Sequence, residues 1–134
     1  MVVERTLLMI KPDAVERNLN GKIIDRIETA GFKIVNLKMV HLTQERAREF
    51  YKVHEGKGFL DELVKFMSSS PIVAIGLEKE NAINDLRDLI GATDPKKAAC
   101  GTIRQNFAID IGKNSVHASD SAASAAIELK FHFG

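Results

Sequence analysis

Two short apolar runs constrain the fold of this chain more than any other feature of its sequence. They are TLLMI at residues 6–10, which ends at Lys11-Pro12, and PIVAIGLE at residues 71–78. A continuous apolar run of this length, bounded by turn signals, is typical of a fully buried strand. The sequence therefore predicts a sheet that contains two strands buried on both faces.

Helical spacing and turn residues define the other elements. GKIIDRIETAGF is predicted to be helical because Ile23 and Ile27 share a face and Gly31 can cap its C-terminus. KIVNLKMVHL at 33–42 alternates so that one face is nearly all apolar, which predicts a half-buried strand. Four more helices are predicted. One begins at Pro12, and a second covers QERAREFYKVH after an N-cap at Thr43. The other two cover FLDELVKFM and ENAINDLRDLI, and Gly91 ends the last of them.

The second half of the chain contains a long segment without clear periodicity. Residues 92–113 are interrupted by proline and glycine and are predicted to form an irregular connection, which in a compact domain is often functional. AIELKFHF at 126–133 alternates apolar and polar residues and is predicted to be the closing strand. The element order predicts an α+β, ferredoxin-like βαββαβ fold, a four-stranded antiparallel sheet with helices on one face. We expect residues 1–134 to form a single domain.

Composition and charge exclude several classes of function. The chain is 45% apolar and 28% charged, as in ordinary globular proteins, and its net charge of +1 argues against a broad nucleic-acid-binding face. The only cysteine, Cys100, can form no intramolecular disulfide, which suits a reducing compartment. No apolar run approaches the ~20 residues of a membrane span, and the N-terminus does not resemble a signal peptide. These features predict a cytoplasmic protein.

Several common catalytic and metal-binding motifs are absent from the sequence. It contains neither a G-x-x-x-x-G-K-[ST] phosphate loop nor a G-x-G-x-x-G turn. It also contains no pair of histidines or cysteines at zinc-ligand spacing and no G-x-S-x-G elbow. We therefore expect no protein-bound metal, and no conventional P-loop NTPase, metalloprotease or serine hydrolase.

One of the four histidines, His117, stands in an unusual setting. In GKNSVHASDS its neighbours are almost all small or polar, which leaves the ring uncrowded. His41 and His132 are predicted to be half-exposed strand positions. His54 follows Tyr51 by three residues on one helix face, and either a helix-end interaction or a ligand contact explains it. By pattern alone, His117 is explained equally well as a nucleophile and as a residue preceding a Ser/Asp helix cap.

Basic residues favour the first explanation once they are placed on the predicted fold. The cations are Lys11 at the end of the first strand, Arg87 on the helix before the loop, and Arg104 within the loop. Each of them, taken alone, is better explained as an ordinary solvated or paired charge. Together with Thr93 and Asn114, however, they come from segments that could meet near His117 at one end of the sheet. The topology therefore favours an anion site beside this histidine.

The motifs IKPDAVER, FYKVHEGKGFLDELVKFM, GATDP, GTIRQNF and GKNSVHASDS, in this order, resemble those of the nucleoside diphosphate kinase family. The match runs from Glu4 to Phe131, and Asn-x-x-His-Ala-Ser-Asp combined with Lys-Pro-Asp and Tyr-x-x-His is a specific combination. The resemblance implies a ferredoxin-like core. It also implies ping-pong transfer of the terminal phosphate of a nucleoside triphosphate, typically ATP, to a nucleoside diphosphate through a phosphohistidine, with broad base and sugar tolerance.

The same resemblance implies catalytic roles for five residues. His117 resembles the histidine that takes the phosphate, and Ser119 and Glu128 resemble the pair that orients it. Lys11 matches a residue near the transferred phosphate, and Tyr51 matches the tyrosine beside it. Histidine suits this role because its N–P bond keeps a high transfer potential, and because its ring is readily neutral near neutral pH. Glu128 would fix the tautomer by accepting from the second ring nitrogen.

Binding roles follow from the resemblance in the same way. Lys11 and Asn114 match residues that hydrogen-bond the sugar hydroxyls. Phe59 matches the aromatic residue on which the base stacks, and Ile111 the aliphatic residue on the other face of the base. The residues that match those holding the phosphate chain are His54, Arg87, Thr93 and Arg104.

The family also implies cofactors and partners. Mg²⁺ would be carried by the nucleotide phosphates, because the sequence offers no carboxylate cage. The expected partners are nucleoside di- and triphosphates, with no membrane and no nucleic acid required, in a homo-oligomer, either a tetramer or a hexamer. One departure is Ala118, where glycine is more usual; its methyl group is expected to be tolerated unless the backbone needs a positive φ.

Two alternatives remain open at the level of sequence. The first is a ferredoxin-like nucleotide-binding regulatory module, nucleotide-sensing or RNA-binding, without catalysis. TLLMI and KIVNLKMVHL lack the aromatic residues that RNA-binding sheets expose, which counts against the RNA-binding version. The second alternative is a phosphohistidine carrier served by another enzyme, which would not need base and sugar contacts.

Overall fold

The computed structural model describes residues 2–134 and contains a four-stranded antiparallel sheet flanked by helices. The strands are β1 (Val3–Ile10), β2 (Lys33–Val40), β3 (Ile72–Glu80) and β4 (Val116–Ala118), in the order β2-β3-β1-β4. The α-helices are α1 (Pro12–Glu16), α2 (Asn20–Thr29), α3 (Gln44–Phe50), α4 (Leu60–Met67), α5 (Ala82–Ile90), α6 (Ile103–Phe107) and α7 (Ala122–Phe133). A short 3₁₀ helix, Lys52–His54, follows α3. The predicted α+β, ferredoxin-like class is confirmed.

The two apolar runs lie at the centre of the sheet, as predicted. β1 pairs with β3 along one edge and with β4 along the other. Leu7, Leu8, Met9 and Ile10 are all 0% exposed, and the corresponding part of β3 is buried as well. Successive residues of β1 enter different core clusters on opposite faces of the sheet, which is why the run is apolar without alternation.

Helices cover both faces of the sheet, so the expectation that they would lie on one face is wrong. On one face α2 and α5 pack through residues such as Ile27 and Leu86. On the other face α4 and α7 pack through residues such as Val64, Met67 and Leu129. Both faces need a cover because β1 and β3 present apolar side chains in both directions.

The predicted closing strand at residues 126–133 is wrong, because this segment belongs to helix α7. The side chains that this helix directs at the sheet are those of Ala125, Glu128, Leu129 and His132, which follow helical spacing. Two of these four are polar, so the inward face does not read as an apolar stripe. The closing strand is instead β4, only three residues long, and it contains His117 itself.

Strand β2 lies at the edge of the sheet and is more exposed than its alternation predicts. A bulge between Ile34 and Asn36 shifts its register against β3, so the side-chain alternation changes face within the strand. Ile34 and Val40 pack against the core clusters. Leu37 and Met39, on the face expected to be buried, are 52% and 58% exposed.

The predicted helix ends are largely confirmed, and the long connection contains an element that was not predicted. Thr43 accepts a hydrogen bond from Arg46 N at the start of α3, and Pro12 occupies the first turn of α1. Helix α6 interrupts the connection and is capped by Thr102. A Cβ on Gly91 would lie 2.5 Å from Thr102 Oγ1, so only glycine fits this approach.

None of the helices within residues 2–134 has the length and apolar character needed to cross a bilayer.

Two histidines differ from their predicted settings. His41 lies one residue beyond β2, is exposed, and has Nε2 2.8 Å from Ser68 O. His132 was expected at a half-exposed strand position, but it is only 4% exposed on α7, with Nε2 3.2 Å from Met9 Sδ. Burial, with smaller contributions from Lys38 and Arg46, lowers the pKa of His132 to about 4.

This buried histidine should make the protein sensitive to mild acid. Its neutral form is favoured in the folded chain, whereas the unfolded chain binds the proton at the ordinary value near pH ~6.5. The contribution of His132 to the free energy of unfolding is therefore fully present above pH ~6.5 and is lost as the pH falls towards 4. The shift in pKa corresponds to a loss of about 3 kcal/mol. Urea unfolding at pH 7.5 and 4.5 should show that His132→Leu loses less stability on acidification than the native chain. His41→Gln is the control, and an identical loss in His132→Leu and the native chain would contradict the prediction.

Candidate active site

A single cleft of about 1300 Å³ brings together nearly all of the residues predicted to act on a nucleotide. Of the predicted set, only Ser119 does not line it, because its side chain is fully buried behind the cleft wall. The predicted residues that line the cleft are Lys11, Tyr51, His54, Phe59, Arg87, Thr93, Arg104, Ile111, Asn114, His117 and Glu128.

The pairing of β1 with β4 explains why segments so distant in sequence meet. Ile10 lies opposite Val116 and Met9 opposite His117. Beyond the paired residues, Lys11 N donates a hydrogen bond of 2.9 Å to Ser115 O. The end of β1 therefore lies beside the start of β4, which places Lys11 close to the histidine strand.

Glu128 contacts the imidazole of His117. His117 Nε2 lies 2.9 Å from Glu128 Oε1, and Ser119 Oγ donates to the same oxygen at 2.9 Å. An ionised carboxylate only accepts hydrogen bonds, so Nε2 carries the ring proton and Nδ1 keeps its lone pair. Phe50, which the sequence analysis did not single out, packs edge-on against the ring with centroids 5.5 Å apart. The side chain of His117 is 24% exposed and lines the cleft.

Lys11 and Asn114 form one polar unit next to this histidine. Lys11 Nζ donates to Asn114 Oδ1 at 2.8 Å, and Asn114 Nδ2 donates to Thr93 O at 3.2 Å. Burial, and secondly the charge of Arg104, lower the pKa of Lys11 to about 8. The ammonium group of Lys11 is therefore largely shielded from solvent, and a bound anion would stabilise its charged form.

The two arginines of the cleft differ in how firmly they are held. Arg104 is 6% exposed, and its guanidinium donates to Gly91 O at 3.1 Å and to Val116 O at 2.9 Å. Burial, and secondly the charge of Arg87, lower the pKa of Arg104 to about 10. Arg87 is exposed, and among residues 2–134 its guanidinium makes one hydrogen bond, of 3.4 Å, to Ala118 O. Arg104 thus supports the loop and β4 in addition to facing the cleft, while Arg87 is held less firmly.

Aromatic and apolar side chains surround the mouth of the cleft. The rings of Tyr51 and His54 are stacked with centroids 6.2 Å apart, and His54 packs against Phe59. Phe59 and Ile111 are 50% and 61% exposed, although both are apolar. Tyr51, in contrast, is buried, and burial together with Glu128 raises the pKa of its hydroxyl. Exposed apolar groups at a cleft mouth are typical of a surface that a planar ligand covers.

Ala118, where the family more usually has glycine, lies in a regular strand. Ala118 belongs to strand β4, whose extended backbone any residue adopts, and it is 4% exposed. The expectation that its methyl group is tolerated is therefore consistent with its conformation.

Acidic and metal-binding side chains are dispersed in the part of the chain that the structure describes. Residues 2–134 contain no group of three or more His, Cys, Asp or Glu side chains placed to hold a metal ion. The charged side chains that line the cleft are of both signs, and among them Lys11, Arg87 and Arg104 supply donors that suit phosphate oxygens.

Comparison with known proteins agrees with this geometry. A family model described as nucleoside diphosphate kinase matches residues 4–134. The nucleoside diphosphate kinase of Pasteurella multocida (strain Pm70) is 57% identical, over 99% of this chain and 96% of the relative. That of Geotalea uraniireducens (strain Rf4) is 53% identical, over 98% of this chain and 96% of the relative.

Solved structures give the same result. The nucleoside diphosphate kinase of Aquifex aeolicus superposes with a TM-score of 0.97 at 51% identity, covering 99% of this chain and 96% of that chain. A halophilic nucleoside diphosphate kinase from Halobacterium salinarum, solved in complex with CDP, superposes with a TM-score of 0.95 at 42% identity. The superposition covers 98% of this chain and 88% of that chain. With a cleft of this chemistry and matches of this extent, the chain belongs to the nucleoside diphosphate kinase family.

Proposed function

We propose that this enzyme moves the terminal phosphate of a nucleoside triphosphate to a nucleoside diphosphate in two steps, with His117 carrying the phosphate between them. The observation that supports this most directly is the 2.9 Å contact from His117 Nε2 to Glu128. It leaves Nδ1 as the ring nitrogen with a lone pair for attack. The non-catalytic alternative is not favoured, because the chain belongs to a family of enzymes.

Each half-reaction exchanges one bond to phosphorus for another. In the first, Nδ1 attacks the terminal phosphorus and the bridging oxygen leaves with the nucleoside diphosphate. Because Nε2 keeps its proton, the phosphorylated ring becomes positively charged, and the carboxylate of Glu128 stabilises that charge. In the second, a phosphate oxygen of the acceptor diphosphate attacks phosphorus, the N–P bond breaks, and the ring returns to its neutral form.

The cations of the cleft would stabilise the negative charge of the transferring group. We assign Lys11 and Tyr51 to the phosphoryl group itself, since Tyr51 Oη is buried and has no hydrogen-bond partner among residues 2–134. The side chains assigned to the rest of the phosphate chain are those of His54, Arg87, Thr93 and Arg104. Phosphoryl transfer depends mainly on such positioning and charge stabilisation.

Recognition of the nucleoside would be shared by four side chains. Asn114 and Lys11 are assigned to the sugar hydroxyls, in keeping with their mutual hydrogen bond. The base would stack on Phe59, with Ile111 on its other face. Stacking contacts read no base edge, which is consistent with broad nucleotide tolerance. The complex of the Halobacterium salinarum relative with CDP supports nucleoside diphosphates as ligands.

Mg²⁺ would enter with the nucleotide rather than reside on the protein. The dispersed acidic side chains of residues 2–134 and the cations Lys11, Arg87 and Arg104 in the cleft fit an ion that is held mainly by the nucleotide. When bound, the ion would neutralise negative charge on the phosphates.

We further propose that the 134 residues form one domain that works in the cytoplasm as a homo-oligomer. The exposed apolar side chains of Leu37 and Met39 lie on β2, the edge strand that pairs with β3 on one side. An exposed apolar surface at a sheet edge favours association between chains. The choice between tetramer and hexamer can be made by light scattering. The single exposed cysteine, Cys100, suits a reducing compartment.

Labelling of the enzyme tests the proposed function. ATP labelled at its terminal phosphate should transfer the label to His117 Nδ1 in a single mixing step, without an acceptor present. The adduct should be labile in acid and stable in base, and GDP or CDP should discharge it as the labelled triphosphate. Label on serine would contradict the proposal, as would kinetics that require both nucleotides to be bound at once.

A further inference from the structure

We propose that Asp13 is a positioning residue for the reaction, because its buried carboxylate holds a strained turn at Ser115 that aligns Asn114 and Lys11 with His117. This inference rests on the proposed function. Asp13 lies in the first turn of α1 and does not line the cleft, although Lys11 does. It would act through the backbone and through Lys11, without touching the nucleotide.

The turn at Ser115 is strained. Val116 N donates to Asn114 O at 2.9 Å, so Ser115 is the central residue of a γ-turn, and its φ is +74°. Turns of this kind are rare, and residues other than glycine avoid this region of φ. Ser115 separates Asn114, which contacts Lys11, from the strand that carries His117. Relaxation of the Ser115 backbone would therefore rotate Asn114 relative to His117.

The start of α1 restrains both sides of this turn. Ser115 N donates to Asp13 Oδ2 at 3.1 Å, in a position where Ser115 is 0% and Asp13 5% exposed. Lys11 N donates to Ser115 O at 2.9 Å. The carboxylate and the backbone of Lys11 thus hold the N–H and the C=O of one residue. Strained conformations persist only where the surroundings determine them in this way.

Arg17 supports the carboxylate from the solvent side. Its Nη2 lies 3.9 Å from Asp13 Oδ2, its Nε donates to Asp13 O at 3.2 Å, and Nη2 also reaches Ser115 Oγ at 3.4 Å. The other oxygen, Asp13 Oδ1, is buried without a hydrogen-bond partner among residues 2–134. Burial raises the pKa of Asp13, while Lys11, the Ser115 amide and Arg17 favour its ionised form.

The charge of Asp13 also bears on the catalytic lysine. Burial and Arg104 lower the pKa of Lys11, and the carboxylate of Asp13 is the neighbour that opposes them. Removal of that charge should lower the pKa of Lys11 further. The lysine would then lose its proton at a lower pH, and its interaction with phosphate would be lost with it.

Three variants separate these effects from a general loss of structure. Asp13→Ala removes both the acceptor and the charge, Asp13→Asn keeps an acceptor for Ser115 N but removes the charge, and Glu16→Gln is the control. Glu16 is exposed on the same helix and contacts only the hydroxyl of Ser70. The rate of phosphoenzyme formation from ATP is measured per labelled site, so that unfolded chains do not count, and kcat/KM is followed from pH 6 to 9.

In Asp13→Ala we expect phosphoenzyme formation at pH 6.5 to be roughly 10- to 100-fold slower, because a small misplacement of reacting groups has effects of that size. Asp13→Asn should recover most of this rate at pH 6.5. Its activity should nevertheless fall on the alkaline side roughly one pH unit earlier than in the native enzyme, whose own decline is expected near pH 8. Glu16→Gln should match the native enzyme in both measurements.

Two results would overturn the proposal: an Asp13→Ala rate equal to that of Glu16→Gln, or an Asp13→Asn pH profile that superposes on the native one. If Asp13→Ala fails to fold, the profile of Asp13→Asn decides alone. A native enzyme that forms no phosphoenzyme would refute the proposed function, and that result is distinct from either of these.

Discussion

Replacement of His117 by glutamine should reduce phosphate transfer between nucleotides by roughly 10⁴-fold or more, because loss of the nucleophile of a covalent mechanism has effects of that order. Glutamine can still donate a hydrogen bond to the carboxylate of Glu128, but its amide is too weak a nucleophile to attack phosphorus. Stopped-flow or coupled assays at pH 7.5 would measure the loss, and acid-quenched samples would show no labelled protein.

A histidine-to-glutamine substitution outside the cleft provides the control. His41→Gln alters an exposed histidine that lies outside the cleft, and both activity and labelling should be unchanged. Thermal unfolding of both variants should stay close to that of the native chain, since the side chain of His117 is 24% exposed and packs mainly at its edges. Retention of more than a small fraction of activity in His117→Gln would refute the two-step mechanism.

Replacement of Glu128 by alanine is expected to slow phosphoenzyme formation by roughly 100-fold or more, by analogy with other carboxylates that orient a catalytic histidine. Two effects combine in this variant. The proton on His117 Nε2 loses its acceptor, so the wrong tautomer becomes accessible, and the positive charge of the phosphorylated ring loses its counter-charge. Rapid-quench labelling with ATP would measure the rate of the first half-reaction directly.

Two milder variants separate these contributions. Glu128→Gln keeps an acceptor but not the charge, so its rate should fall between those of the native enzyme and Glu128→Ala. Ser119→Ala removes one of the two hydrogen bonds to Glu128 Oε1 and should slow transfer by about tenfold, the effect of one hydrogen bond to a charged group. A rate within threefold of the native enzyme for Glu128→Ala would show that this carboxylate does not orient the nucleophile.

The sequence predicted the parts of the fold in which local pattern and burial agree. The central parts of β1 and β3 were predicted correctly because residues 6–10 and 72–77 are buried on both faces and are therefore almost entirely apolar. The caps at Thr43 and Gly91 were predicted because their chemistry is local. Convergence of Lys11, Arg104 and Asn114 beside the histidine was a prediction from topology, and the cleft contains all three.

The remaining features depended on tertiary contacts that no local pattern encodes. Helix α7 directs Glu128 and His132 at the sheet, and these polar residues occupy positions where an amphipathic helix would carry apolar ones. β4 is too short to show any period, and the bulge in β2 exchanges its faces. Helix α6 did carry a readable signal, the Thr102 cap, which the proline and glycine residues around it obscured.

His117 is carried by a strand that pairs with residues 8–10 of β1, all of them buried, while Phe59 and Ile111 are exposed at the opening of the cleft. Under the proposed assignments, bond-making falls on the buried sheet and base stacking on exposed side chains at the cleft mouth. An engineer seeking to change how tightly the bases stack has two exposed positions to randomise, and the buried strands that carry His117 can be left untouched.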